Sequence, residues 1–314
     1  MEKALIIGAG GFVGPYLAEH LSNEYGMEVH VTKRSHGDLM NTKTGVHHLN
    51  ILNKDEIVDL LYQIRPDYIF HLAAQSSPAL SWKNPGLTID VNIKGSVNVL
   101  DAVRELYYKP KVLLAGSGEE YGRIHPDEIP IAEDNYLRPG NLYAVTKVCQ
   151  NMIANIYATA YDMEVIMVRA FNHIGPKQAS VFVVSDFCRQ VVEIEKGLRE
   201  PVMMVGNLEA MRDFTDVRDV VKAYALLVKY GKAGETYNVG SGHAVKIKDV
   251  LELIISQSDV DVEVKVDPNK IRPIDVPVIE ADTTKLCETT GWKRQIPLEQ
   301  TIRETMEYWR QQIQ

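Results

Sequence analysis

Cysteine is scarce, with 3 in 314 residues. Cys149, Cys188 and Cys287 are odd in number and far apart, and no Cys-x-x-Cys spacing marks a metal or redox pair. They read as thiols in a reducing compartment, and no metal site is expected. Long hydrophobic runs are missing too. No stretch approaches the ~20 apolar residues of a membrane span, and the apolar run within Met1 to Gly8 is too short for a signal peptide. A cytoplasmic protein without a membrane partner is therefore expected. An excess of positive charge is also absent. The formal net charge of -8 argues against nucleic acid as a partner while allowing a local basic groove. What is present is an ordinary globular composition, 45% hydrophobic, enough for one large or two closely joined domains.

Short apolar runs alternate with helical patterns through the first half. Ala4 to Ile7 is apolar without polar alternation, which suits a strand buried on both faces. A helix pattern follows from Phe12 to about Tyr25. The alternation continues through Glu28 to Thr32, a helix over Lys54 to Ile64, the run Asp67 to Ala73, a long helical pattern from about Leu87 to Tyr107, and Val112 to Ala115. A helix over Tyr143 to Tyr161 and a strand over Val165 to Val168 complete it. Repeated βα units predict an α/β fold, a Rossmann doubly wound parallel sheet with helices on both faces.

In such sheets ligands lie outside the carboxyl ends of the strands. The turn after the first run holds Gly8, Gly11, Phe12, Val13 and Gly14 in a Gly-x-x-Gly-x-x-Gly pattern. Glycine there allows a tight turn, close backbone approach to a pyrophosphate, and packing of the helix on its strand. Placed between a buried strand and an amphipathic helix, the pattern points to a dinucleotide. The second strand ends in Lys33 and Arg34 with no carboxylate, so the site suits a 2′-phosphate, and NADP is the expected cofactor. His71-Leu72-Ala73-Ala74 ends another strand with small residues that let a cofactor lie close, and His71 itself reads as a packed side chain.

Tyr143 is followed four residues later by Lys147. On a helix the two share a face, and an ammonium beside a phenol favours its ionised form. Spacing alone decides nothing: with 15 Tyr, roughly one such pair is expected by chance. A second pair, Tyr107 and Lys111, spans the helix-breaking Pro110 and reads as coincidence. Ser117 and Glu119 follow the run Val112 to Ala115, where a hydroxyl could share a substrate oxygen with Tyr143 and a carboxylate could act as a base or hold a sugar hydroxyl.

Together, the glycine triplet, His71-Leu72-Ala73-Ala74, Ser117 and Tyr143-x-x-x-Lys147 resemble the extended short-chain dehydrogenase/reductase family, in order and over the full length. Within it, Ser117-x-Glu119-x-Tyr121-Gly122, Phe171 to Pro176, Val205 to Glu209, Arg212 to Val217 and Arg272-Pro273 resemble enzymes acting on GDP-6-deoxyhexoses, the GDP-4-keto-6-deoxy-mannose reductases most closely. The resemblance implies NADPH-dependent reduction of the C4 carbonyl of a GDP-linked keto sugar to GDP-rhamnose. It gives Tyr143 the proton donation, Lys147 the lowering of the phenol pKa and a hold on the nicotinamide ribose, and Ser117 the carbonyl oxygen. It gives Asn172, Asn207, Arg212 and Arg272 the substrate, and it implies a homodimer through the helices near 87–107 and 143–161. Gly116 and Gly118 depart from the family's serines, and Leu142 from its usual proline. Three alternatives stay open: Glu119 as the base of a GDP-mannose dehydratase, a talose product, and a non-catalytic NADP-binding regulator.

After about Phe171 the alternation weakens. Helices are expected over Val181 to Lys196, Val217 to Tyr230, Lys248 to Gln257 and Leu298 to Gln311, with a strand over Thr236 to Gly240. The expected division is a cofactor domain over 1–171, with a segment near 209–241 returning to it, and a smaller, discontinuous α/β substrate domain over 172–314.

Overall fold

The first apolar run forms strand β1 (Lys3–Ile7), in which Ala4 to Ile7 have no solvent exposure, as a strand covered on both faces must. The computed structural model describes residues 1–34, 45–270 and 276–313. From β1 the chain runs through α1 (Val13–Tyr25), β2 (Glu28–Lys33), β3 (Gly45–His48), α2 (Lys54–Ile64) and β4 (Tyr68–His71). It continues through α3 (Pro78–Lys83), α4 (Pro85–Ile89), α5 (Gly95–Arg104), β5 (Lys111–Ala115), α6 (Leu142–Tyr161) and β6 (Val165–Ala170). The second half contains β7 (Asn172–Ile174), α7 (Val183–Glu195), β8 (Val202–Val205), β9 (Met211–Asp216), α8 (Val217–Tyr230), β10 (Thr236–Val239) and β11 (Ala244–Lys246). It closes with α9 (Ile247–Ile255), β12 (Glu263–Val266), β13 (Val278–Ile279), α10 (Thr284–Thr290) and α11 (Leu298–Gln312).

Seven strands make one parallel sheet in the order β10-β6-β5-β4-β1-β2-β3. This is the Rossmann-like doubly wound sheet expected from the sequence. Winding outward from β1 to β3 and then from β4 to β10 opens a crevice at the carboxyl ends of β1 and β4. One face buries Leu17, Leu21, Val220 and Leu227 from α1 and α8. The other buries Ile57, Leu61, Val99, Leu100 and Ala154 from α2, α5 and α6. The helix and strand read at 217–230 and 236–240 thus return to the large sheet. Beyond the carboxyl edge, β9 pairs with β7, β11 and β13, and β8 pairs with β12. Phe187, Val191, Ile254, Ile302 and Met306 form the core beneath them.

Two expectations need correction, and one strand was not expected. The helix read over 87–107 is broken: α4 passes through a π-helical turn at Asp90–Lys94 into α5. Inside that turn the Asn92 side chain bonds the backbone N–H and C=O of Gln75 and the Thr146 hydroxyl, a polar insertion of the kind that widens a helix. Strand β3 escaped notice because it is a four-residue edge strand, Gly-Val-His-His, with little apolar signal. The helix read from Val181 starts at Val183, after the extended backbone of Phe182.

Candidate active site

The glycine turn joins β1 to α1 at the crevice. Gly8 has φ +91°, and a Cβ there would lie 2.5 Å from the Ala73 backbone, so only glycine fits. A Cβ on Gly14 would come within 2.4 Å of Ala9 Cα, whereas one on Gly11 would meet nothing nearer than the Gly8 carbonyl oxygen at 3.8 Å. Gly8 and Gly14 are thus demanded by packing; Gly11 faces open cleft. Helix α1 starts without a side-chain cap and without a carboxylate in its first turn, which leaves its N–H groups and positive dipole end for an anion. Phe12 and Val13 line the same cleft, and Phe12 stacks on His173 with ring centroids 6.0 Å apart. Lys33 and Arg34, half-buried and exposed respectively, line it where β2 ends. The residues present therefore fit a dinucleotide: a glycine cradle, an uncapped helix start, and cations at the ribose end.

The cleft has a volume of ≈ 2060 Å³ and runs from this turn past Leu72, Ala73 and Ala74 toward the smaller sheets. In its floor, Tyr143 and Lys147 sit on α6 and are both buried. Asn141 caps that helix, accepting from Ala144 N at 2.8 Å, while Tyr143 N donates to Ser81 Oγ at 3.3 Å. Ser117, two residues past β5, lies near enough to Tyr143 to favour its ionised form. Burial raises the Tyr143 pKa, Glu119 and Glu120 raise it further, and Ser117 pulls it back. Lys147 is not among the groups that shift it. Its ammonium instead donates to Ala115 O at 2.7 Å and Gln150 Oε1 at 2.9 Å. Burial lowers the Lys147 pKa to about 8, opposed by Glu120. Glu119 lines the cleft, where Asn141 Nδ2 donates to its Oε2 at 3.2 Å.

Several site residues were missed. Gln150 links Lys147 to a buried chain: its Nε2 donates to Ser96 Oγ at 2.7 Å, and Ser96 Oγ lies 2.9 Å from His71 Nε2. Ser96 donates its own proton to Asn92 O, so His71 carries the proton on Nε2 and donates it. His71 is the packed side chain anticipated, held neutral because burial and Lys147 lower its pKa to about 3. Glu120 was also passed over; it is fully buried and ion-paired with Arg169 at 2.9 Å. The sequence signal was there, two adjacent carboxylates in a glycine-rich turn. Tyr107 is exposed and Lys111 begins β5, so that pair is indeed coincidental.

At the far end, Asn172 is exposed on β7, and Asn207 accepts from Glu209 N. Arg212, on β9, donates to Met211 O and Val276 O, each at 2.8 Å. All three line the cleft. Arg272 lies outside the described residues. Among the described residues, no cluster of His, Cys, Asp or Glu could hold a metal, and no helix is long and apolar enough to cross a membrane.

The arrangement can deliver a proton from a phenol to an oxygen shared with a serine hydroxyl, next to a bound dinucleotide. The chain is similar to known proteins over its whole length. The family described as GDP-mannose 4,6 dehydratase matches residues 5–305. A GDP-6-deoxy-D-mannose reductase of Pseudomonas aeruginosa is 30% identical over 99% of this chain and 98% of its own. A GDP-mannose 4,6-dehydratase of Yersinia enterocolitica is 27% identical over 97% and 92%. Among solved structures, RMD from Pseudomonas aeruginosa complexed with NADPH superposes with a TM-score of 0.88 at 29% identity, covering 100% of both chains.

Proposed function

Because the chain belongs to the GDP-mannose 4,6-dehydratase family, within the extended short-chain dehydrogenases/reductases, we propose that it reduces the C4 carbonyl of GDP-4-keto-6-deoxy-D-mannose, giving GDP-D-rhamnose. One observation carries the reading: Tyr143, Ser117 and Lys147 stand together in the floor of a single cleft that joins the glycine cradle to Asn172, Asn207 and Arg212. The full-length likeness to a reductase adds support.

NADPH, when bound, supplies the hydride. Gly8, Gly11, Phe12, Val13 and Gly14 would hold its pyrophosphate, Lys33 and Arg34 its 2′-phosphate, and Leu72, Ala73 and Ala74 would lie along it. Ser117 orients the sugar carbonyl oxygen, and Tyr143 gives its proton to the alkoxide that forms there. Lys147, fixed by Ala115 O and Gln150, would use its remaining N–H to hold the nicotinamide ribose. Arg212, and by the resemblance Arg272, would bind the diphosphate. The cofactor unit would comprise 1–171 plus α8 and β10 from the segment near 209–241, while β9 of that segment pairs in the smaller sheet and goes with the substrate unit in the remainder of 172–314.

Glu119 favours a second reading. A carboxylate that lines the cleft and accepts from Asn141 supports the role of C5 base in a 4,6-dehydratase. Incubating the protein with the keto sugar and NADPH separates the two: reduction consumes NADPH stoichiometrically, dehydration of GDP-mannose consumes none.

Val145, Met152 and Ile156 form an exposed apolar stripe along α6, beside exposed Leu80, Trp82 and Ile89. Such a stripe supports a homodimer through these helices. Ile156→Glu should convert it to a monomer in sedimentation, and an unchanged sedimentation coefficient would contradict it. The free thiols, with Cys188 buried, support a cytoplasmic location.

A further inference from the structure

We propose that Glu120 is a positioning residue of the proton-transfer site: its carboxylate, paired with Arg169 and seated in the space that Gly116 leaves, holds the Ser117 backbone and so aims the Ser117 hydroxyl at Tyr143. This rests on the catalytic reading above and adds to it a residue beneath the site.

The geometry is specific. Glu120 Oε1 accepts from Ser117 N at 2.9 Å, and Glu120 Oε2 accepts from Arg169 Nε at 2.9 Å. Ser117 Oγ in return accepts from Glu119 N at 3.2 Å, closing a capping box around the short 3-10 turn Gly118–Glu120. Held at both its backbone N–H and its side-chain oxygen, Ser117 is fixed within the turn beside Tyr143. A Cβ on Gly116 would lie 2.4 Å from Glu120 Oε1, and one on Gly118 would lie 3.2 Å from the Phe171 ring. The two glycines that depart from the family's serines are thus explained. One makes room for the carboxylate, the other for an aromatic ring.

Arg169 is itself anchored. Its Nη1 donates to Tyr121 OH at 3.0 Å and to Glu133 O at 2.9 Å, and its guanidinium lies over the Tyr121 ring. Tyr121 OH donates to Asn238 Oδ1 at 2.7 Å on the neighbouring strand β10. The pair therefore transmits the rigidity of the sheet to the loop carrying Ser117. As mere filling it would be a poor choice, since apolar side chains of equal volume commonly serve a core better than a buried ion pair. Its charge also reaches the site: the charged and titratable groups facing it are Arg169, Lys147, Tyr143 and Tyr121, and its ionised form raises the pKa of both Lys147 and Tyr143. Burial pushes its own pKa up to about 7.

Glu120→Gln and Glu120→Asp test the proposal, with circular dichroism confirming the fold. In Glu120→Gln, kcat should fall about 10- to 100-fold while the NADPH Kd stays within about threefold, and the alkaline limb of kcat/KM should move to lower pH by about half a unit or more. Glu120→Asp keeps the charge but shortens the reach, so kcat should fall with the limb unmoved. If Glu120→Gln does not fold, Glu120→Asp and Arg169→Lys decide: both should lower kcat at least about fivefold with cofactor affinity kept. Wild-type kcat in the variants overturns the proposal. A wild type inactive on the keto sugar defeats the catalytic reading instead. The Lys147 pKa, followed by NMR of labelled lysine, then decides: a drop in Glu120→Gln supports the proposal, and an unmoved value overturns it.

Discussion

The Lys147 ammonium donates to the Ala115 carbonyl oxygen at 2.7 Å, which ties helix α6 to the carboxyl end of strand β5. That bond fixes Tyr143, one helical turn before Lys147, over the loop that begins at Gly116. The proposed proton donor and the proposed oxygen-binding serine are thereby held by two rigid elements instead of by loops alone. Two of the three ammonium donors are engaged within the protein, and the third is free to define the cofactor's position.

Replacing each member of the pair should separate their tasks. Tyr143→Phe should lower kcat by about 10²- to 10⁴-fold, the usual worth of a general acid, and leave NADPH affinity within about threefold. Lys147→Met should lose turnover and also weaken NADPH about tenfold or more, because a charge-assisted hydrogen bond is removed. Fluorescence titration and steady-state rates read both, and a Tyr143→Phe enzyme with normal turnover would remove the phenol from the mechanism.

Lys147 must be protonated to donate, and its pKa is lowered to about 8 by burial. The active form therefore exists below that pH and is lost as pH rises through it. kcat/KM, which reports the free enzyme, should fall tenfold per pH unit well above about 8. A profile flat to pH 10 would show that the ammonium is not required.

The glycines of the turn should respond unequally. Gly8→Ala forces a Cβ into the Ala73 backbone at a positive φ and should cost about 1–3 kcal/mol of stability. Gly11→Ala meets no protein atom nearer than 3.8 Å, so its Tm should stay near that of the wild type while NADPH affinity drops. Thermal melts with and without NADPH read both effects, and equal melting temperatures for the two variants would contradict the distinction.

His71 gives a pH dependence of stability. Its folded pKa is lowered to about 3 from the ordinary 6.5, so the unfolded chain binds a proton that the folded one refuses. The stability this supplies is full above about pH 6.5 and is lost as pH falls toward about 3, on the order of a few kcal/mol at most. His71→Gln should move the acid-unfolding midpoint to lower pH. A midpoint unchanged or raised would show that the buried imidazole is not the acid-sensitive group.

Much of this site was legible in the sequence because its residues report local chemistry. Gly8 and Gly14 are set by a turn that follows a buried strand, and Tyr143 and Lys147 share a face by helical period alone. Gln150 and Arg169 were not legible, and Glu120 was legible only as the second of two adjacent carboxylates, not as the partner of Arg169 and Ser117. Their roles depend on contacts across the fold, β5 to β6 for Glu120 and Arg169 and α6 to α5 for Gln150 and Ser96, which no periodicity encodes. The π-helical turn at Asp90–Lys94 was hidden too, and Asn92 inside it bonds Gln75 and Thr146 from other parts of the fold. Lys147 was expected to act on the phenol directly; in the structure its ammonium is turned to Ala115 and Gln150, a direction that spacing cannot give.

The central claim is hydride delivery to the sugar C4 with proton delivery from Tyr143. The direct test supplies GDP-4-keto-6-deoxy-D-mannose with NADPH deuterated at the transferring position and follows the product by NMR. The proposed function predicts one deuterium at C4 of GDP-D-rhamnose for each NADPH oxidised. Conversion of GDP-mannose with no net oxidation of NADPH, and no deuterium at C4, would contradict it.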